Sequence, residues 1–204
     1  MNLHPSEIIF LIGFVPYIAV RGIFDHRTKN TEKIVRRFDA IELALLIAVG
    51  IGSLLLPVLY LFTPLLNFAN YELPAAFPWF GIPLMFFALW LFWRSHSDLG
   101  LNWSGTLELR SGHELITKGI YGSMRHPMYS AILLFDLAQG LLVHNWLAGW
   151  FALFSFGSMY FRRVRREEQM MLQFFGEDYI AYARSTGRLI PRLRRPRTSE
   201  RDAK

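Results

Sequence analysis

The sequence predicts an all-α, polytopic helical membrane protein of about five transmembrane helices, with a helical hairpin and a C-terminal cytoplasmic amphipathic helix. Three observations carry this. The 204 residues are 52% hydrophobic and only 19% charged, on the apolar side of an ordinary soluble domain. The apolar residues gather into long runs. The 22 Lys and Arg, against 16 Asp and Glu for a net charge of +6, all lie in three blocks between those runs.

The elements follow in order. The first run, Ile8–Val20, is short and holds Pro16; Met1–Glu7 has no basic residue and no small-residue cleavage site follows, so it does not read as a cleavable signal. The first basic block, Arg21 to Arg37, comes next. Ile41–Phe62 carries only Glu42, near its end and within reach of the surface, and is long enough to cross a hydrocarbon core of about 30 Å. Phe77–Trp93 is uncharged and aromatic, and Arg94 to Arg125 forms the second basic block. Met128–Phe161 holds one charge, Asp136, and is too long for one span; His144-Asn145 divides it into an antiparallel pair, Met128–Val143 and Trp146–Phe161. The third basic block runs from Arg162 to Lys204. With the N-terminus outside and the C-terminus cytoplasmic, every basic residue falls on one side, as the positive-inside rule requires; in a bacterium this is the cytoplasmic membrane. Pro57, Pro64 and Pro83 interrupt apolar runs, which membrane helices tolerate when neighbours satisfy the freed carbonyls. Trp79, Trp90, Trp93, Trp146 and Trp150 sit near span ends, where an interfacial belt would place them. Asp136, at membrane depth, reads as a polar lining or helix-packing group.

Several function classes drop out. With no cysteine, disulfides, thiolate metal sites and cysteine nucleophiles are excluded. His96, His113 and His126 lack metal-ligand spacing, so no metal site is expected. Gly50-Ile-Gly52 lies in a span with no third glycine in register, so it is no dinucleotide fingerprint. The basic tail, 188–204, reads as a solvated, lipid-facing end, so membrane lipids rather than nucleic acid are the expected partners.

Two cytoplasmic segments carry chemistry. The loop 94–127 is too long for a connector. Thr106–Arg110 alternates and Ser111-Gly112 reads as a turn, which suggests a small hairpin; Gly119, Gly122 and Pro127 mark tight turns before the next helix. Tyr121, Arg125, His126 and Tyr129 cluster at the loop's end, offering donors, a cation and aromatic faces to a polar cofactor at the membrane surface. In Arg162–Tyr182, helical spacing puts Arg163, Glu167 and Met170 on one side, with Gly176 as the break. A basic amphipathic helix lying on anionic lipid explains the arginines but not Glu167-Glu168 inside them.

These residues form a pattern: His113-Glu-Leu-Ile-Thr-Lys-Gly-Ile-Tyr121, Arg125-His126-Pro127-Met128-Tyr129, Arg163-x-x-x-Glu167-Glu168, then Leu172-Gln-Phe-Phe-Gly176-Glu-Asp-Tyr179-x-x-Tyr182. In order and spacing it resembles the isoprenylcysteine carboxyl methyltransferase family, over residues 94–190. The resemblance implies an integral membrane enzyme that moves a methyl group from S-adenosylmethionine to the carboxylate of a C-terminal prenylcysteine. It divides the chain into N-terminal spans on the lipid and substrate side (1–93), a methyltransferase-like region (94–190) and the basic tail (191–204). It implies cofactor contacts from His113, Glu114, Leu115, Ile116, Tyr121, His126, Pro127, Met128, Tyr129 and Glu167, with Glu114 and Ile116 contributing backbone, and it places Arg163 at the substrate as the catalytic cation. The chemistry agrees: a carboxylate suits the donor's cationic groups, and an acceptor carboxylate is already ionised at neutral pH and needs no base. The acceptor, a lipophilic molecule from the bilayer, remains open among an isoprenylcysteine-like acid, a phospholipid amine and a small thiol. A nicotinamide-dependent membrane reductase using NADPH is the alternative of another class.

Overall fold

Hydrocarbon offers backbone N–H and C=O groups no partners but each other, so apolar runs in a bilayer fold as helices. The computed structural model describes residues 3–28, 33–36, 39–72, 74, 76–102, 108–110 and 114–192. Its helices are α1 (Pro5–Thr28), α2 (Ala40–Gly50), α3 (Leu56–Phe62), α4 (Phe77–Leu99), α5 (Pro127–Leu142), α6 (Trp146–Phe175) and α7 (Glu177–Ser185). A π-helical turn, Ile51–Leu55, joins α2 and α3 into one rod. Pro5–Thr28, Ala40–Phe62 and Phe77–Leu99 are long and apolar enough to cross a membrane, and α5 is a shorter apolar helix. These helices and the apolar half of α6 coincide with the apolar runs of the sequence, and three of them are long and apolar enough to span.

Four differences from the sequence reading have physical reasons. The short first run is part of a 24-residue helix that continues through Pro16. Arg162–Phe175 is not a separate surface helix: α6 runs unbroken from the hairpin tip for 30 residues and stops at Gly176, whose φ of 53° favours glycine. The strand at Glu108–Arg110 (β2) does not turn back on its own loop but pairs antiparallel with Lys33–Arg36 (β1) from the first basic block, Lys33 opposite Arg110 and Arg36 opposite Glu108; Thr106, Ser111 and Gly112 lie outside the described residues. Glu42 does not reach the surface. It is buried and accepts from Arg166 at 3.3 Å, while Asp39 caps α2 by accepting from the Glu42 N–H and receives Arg162 at 2.9 Å and Arg166 at 3.0 Å. These ion pairs clamp the start of α2 to α6.

The break at His144-Asn145 is where the sequence places it, because the Asn145 side chain accepts from the N–H groups of Leu147 and Ala148 and so caps α6. The core forms where α1, α4 and α5 meet: Tyr17 stacks on Phe135 with ring centroids 4.3 Å apart and lies 4.7 Å from Phe92. Outward, Trp79, Phe80 and Phe154 are 76%, 69% and 70% exposed, a surface that suits lipid and not water. Trp150 departs from the interfacial belt: its indole N–H donates to the Tyr71 hydroxyl at 2.8 Å and its ring packs on Gly140.

The π turn rests on Pro57. In the π register the carbonyl of Gly52 faces residue 57, and proline has no N–H to give it. Gln139 of α5 supplies the donor, its Nε2 reaching Gly52 O at 3.1 Å and Ala148 O at 2.6 Å. Gly52 is required there for a second reason: a Cβ would lie 2.8 Å from Ala152 Cα, so the rod meets α6 backbone to backbone. Asp136, one turn from Gln139, is fully buried, and neither carboxylate oxygen has a hydrogen-bond partner among the described residues; it lies inside the helix packing.

Gln139→Leu keeps the side-chain bulk but leaves the buried Gly52 carbonyl without a donor. It is expected to lower stability by about 1–3 kcal/mol, read as a fall in the thermal midpoint of the purified protein in detergent.

Candidate active site

The C-terminal end of α4 positions the loop that precedes the hairpin. Asp98, paired with Arg94 at 3.1 Å, accepts from the Ile120 N–H at 2.8 Å, and Asn102 Oδ1 accepts from the Glu114 N–H at 3.0 Å. Gly119 fits between them with φ 60°; a Cβ there would sit 2.1 Å from Asp98 Oδ2. Tyr121 is buried, its hydroxyl donating to Ser95 O at 3.4 Å and its carbonyl accepting from the Tyr182 hydroxyl at 2.8 Å. Burial raises the pKa of Tyr121, Tyr179 and Tyr182, so these phenols stay neutral.

Pro127 opens α5, where its missing N–H costs nothing. The residues just before it are held by the chain's C-terminal segment, which returns as a strap. Arg125 N–H donates to Gly187 O at 2.8 Å, His126 N–H to Arg188 O at 3.0 Å, and Gly187 N–H to Ser123 O at 3.0 Å. The Ser130 hydroxyl donates to Leu189 O at 2.6 Å.

Glu168 joins these pieces. It accepts from Arg125 Nε at 3.2 Å, His126 Nε2 at 3.2 Å and Arg188 Nη2 at 2.6 Å. Burial opposes its ionisation, but hydrogen bonds from His126, Arg188 and Arg125 prevail and hold the carboxyl at about 2. The neighbouring Glu167 points elsewhere: one oxygen accepts from the Tyr129 hydroxyl at 2.5 Å and the other lies 4.0 Å from His126 Nδ1. His126 itself stacks on Tyr129 with centroids 5.3 Å apart. Both His126 nitrogens thus face carboxylates.

Above α5 lies a cavity of about 300 Å³. Of the residues singled out from the sequence, Glu114, Leu115, Ile116, Tyr121, His126, Met128, Tyr129, Arg163 and Glu167 line it together, and Met170 joins them. Pro127 is not on the wall, and His113 lies outside the described residues. The Glu114 N–H is engaged by Asn102, so its backbone contribution is reduced to the carbonyl. The opposite wall comes from residues with no recognisable motif: Tyr17, Ile18 and Arg21 of α1, and Leu46, Val49, Gly50, Ser53 and Leu54 of α2 and the π turn. One side is therefore charged and aromatic, the other largely aliphatic. Among the described residues no group of three His, Cys, Asp or Glu could hold a metal ion.

Residues 81–173 match the model of the isoprenylcysteine carboxyl methyltransferase family. The match spans just under half of the chain. Similar proteins include the protein-S-isoprenylcysteine O-methyltransferase of Dictyostelium discoideum, 36% identical over 88 residues, which are 41% of this chain and 35% of that protein. The corresponding Saccharomyces cerevisiae protein is 32% identical over 81 residues, 40% of this chain and 34% of its own length. Thus the matched region spans little more than a third of these relatives. A solved structure, of the eukaryotic intramembrane Ras methyltransferase ICMT, aligns with a TM-score of 0.50 at 23% identity over 74% of this chain and 51% of that one, a likeness of helical membrane fold. The family match covers α4 from Gly81, the loop, α5 and most of α6, and leaves out the aliphatic wall, α7 and the strap.

Sequence reasoning missed Arg125, Glu168, Arg188 and Tyr182 as a supporting network. The signal that could have found Glu168 is the doubled acid itself, since only one of two adjacent helical residues can face the cavity.

Glu168→Gln is expected to loosen the strap. Because folding holds the Glu168 carboxyl below its ordinary value, the stabilisation is present above about pH 4.5 and is lost as the pH falls towards about 2. The variant should lack up to ~3 kcal/mol at neutral pH and lose that part of the acid dependence, measured by thermal unfolding across pH.

Proposed function

We propose that this chain is a membrane-embedded, S-adenosylmethionine-dependent methyltransferase that esterifies the carboxylate of an isoprenylcysteine-like or other lipophilic acceptor. The observation that carries the reading is the two-sided cavity. Its polar wall holds Glu167 and Tyr129, and its aliphatic wall belongs to two helices that face lipid. We place the N-terminus outside and the C-terminus in the cytoplasm, on the distribution of the basic residues.

The residues present fit the methyl donor. Glu167 meets the cationic end of such a molecule, while the rings of Tyr121, Tyr129 and Tyr179 offer faces to a cation and to a flat base. When bound, S-adenosylmethionine supplies a methyl group activated by a positively charged sulfur that is its own leaving group. The protein's part is orientation and exclusion of water. The Tyr129 hydroxyl, by donating to Glu167, fixes which way that carboxylate faces. Arg163, only 8% exposed, presents a fixed cation that positions an anionic acceptor. His126 and the buried phenols serve as scaffold; no proton has to be removed from a carboxylate that is already ionised.

The test is a titration of purified protein with S-adenosylmethionine and, separately, with NADPH, followed by labelled methyl transfer to prenylated acids. Glu167→Gln and Tyr129→Phe should each weaken donor binding by about tenfold, the worth of one charge-assisted hydrogen bond. Arg163→Lys should leave donor affinity unchanged and lower kcat/KM for the acid. Absence of donor binding, or variants that bind as tightly as the parent, would sink the reading.

A further inference from the structure

The face opposite the cavity holds a polar cluster with no part in the reading above. His4 precedes α1, and its ring lies 4.5 Å from that of His144 at the tip of the α5–α6 hairpin. The Ser6 hydroxyl lies between them, 2.8 Å from His4 Nδ1 and 3.3 Å from His144 Nε2, and Ser6 N–H points at the same His4 Nδ1 at 3.4 Å. Glu7 closes the turn by accepting from the His4 backbone N–H at 2.8 Å; its other oxygen accepts from the Tyr60 hydroxyl of α3. This is a capping box in which a histidine occupies the cap position.

The proton inventory admits one arrangement. His4 Nδ1 faces an N–H and an O–H, so it is the bare nitrogen and accepts. The Ser6 proton therefore points at His4, and Ser6 Oγ must accept from His144 Nε2–H. In this arrangement His4 Nδ1 carries no proton and His144 Nε2 carries one. A proton added to His4 Nδ1 removes the acceptor that caps α1, and a proton added to His144 sets a cation beside the other ring.

We propose that His4, Ser6 and His144 form a proton-sensitive latch that pins the first transmembrane helix to the hairpin tip. Among the described residues, the other titratable groups near the site are Glu7 of α1, Tyr60 of α3, and Tyr71 with Glu72 after it. Glu7 already receives two donors and offsets one new positive charge, not two. In the sequence, residues 1–20, 63–76 and 126–161 contain no Lys or Arg. Burial, then His4, lower the pKa of His144, with Glu7 opposing. The sign follows: the neutral ring is favoured when latched, so the latch is fully formed above the ordinary histidine value of about 6.5 and weakens as the pH falls below it. The latch bears on the far face because α1 carries Tyr17, Ile18 and Arg21 to the cavity wall. It stands independently of the methyltransferase reading.

Hydrogen exchange of the α1 amides in the purified full chain tests this, with rates corrected for the intrinsic effect of pH. In the parent, protection of residues 7–12 should fall about tenfold between about pH 7.5 and about pH 5. The double variant His4→Asn, His144→Gln keeps a cap acceptor and an N–H donor but cannot be protonated, so its protection should not change over that window. Ser6→Ala removes the shared hydroxyl and should expose α1 equally at both pH values. An equal pH response in the parent and the double variant, or no response in the parent, would overturn the latch.

Discussion

Glu168 is the carboxylate on which the polar end of the molecule depends. Three cationic or hydrogen-bonding groups converge on it from segments far apart in sequence: Arg125 and His126 from the loop before α5, and Arg188 from the strap. Arg125 does more than pair with it. Its Nη1 donates to the carbonyls of Ala183 at 2.8 Å and Thr186 at 2.7 Å, so it caps the end of α7 while its Nε is held by Glu168. One guanidinium thus joins α6, α7 and the loop. Its Nε and Nη1 donors are matched by the acid and by the helix-end carbonyls, which holds the guanidinium in its largely buried place.

The cavity gains its two-sided character from this arrangement. The loop and the start of α5 are fixed from above by the strap and from beside by Asp98 and Asn102 of the α4 end. Charged groups can therefore line one wall without collapsing onto each other. The aliphatic wall has a different origin. Gly52 lets the second rod contact α6 backbone to backbone, and the Asp39–Arg162–Arg166–Glu42 ion pairs fix its N-terminal end. Between those two attachments Leu46, Val49 and Gly50 face open space.

The sequence made the spans legible because lipid sorts residues by composition. It also made Arg163, Glu167 and Met170 legible, because a helix repeats its faces at i+4 and i+7 and all three do line the cavity. Glu168 was hidden by the same rule: it sits 100° around the helix from Glu167, on a face whose partners come from residues 125 and 188. The strap was hidden for another reason. Its bonds to Ser123, Arg125 and His126 use backbone atoms of Gly187 and Arg188, and backbone pairing between distant segments leaves no residue pattern. The β1–β2 pair is the same case, since β2 alternates correctly but its partner lies over seventy residues away. The contribution of α1 was hidden because Tyr17 and Arg21 belong to no recognisable motif.

The proline at 57 shows how one residue sets a wall through several others. A helix interior cannot lose an N–H in hydrocarbon without another donor, and water is not at hand. Widening the turn to π geometry moves the orphan carbonyl to Gly52, where Gln139 of α5 reaches it. That choice requires a glycine, because only a residue without Cβ lets Gly52 approach Ala152 closely enough for Gln139 to bridge Gly52 O and Ala148 O. The same turn rotates Ser53 and Leu54 onto the cavity wall. The aliphatic side of the site is thus a consequence of satisfying one backbone carbonyl inside the membrane.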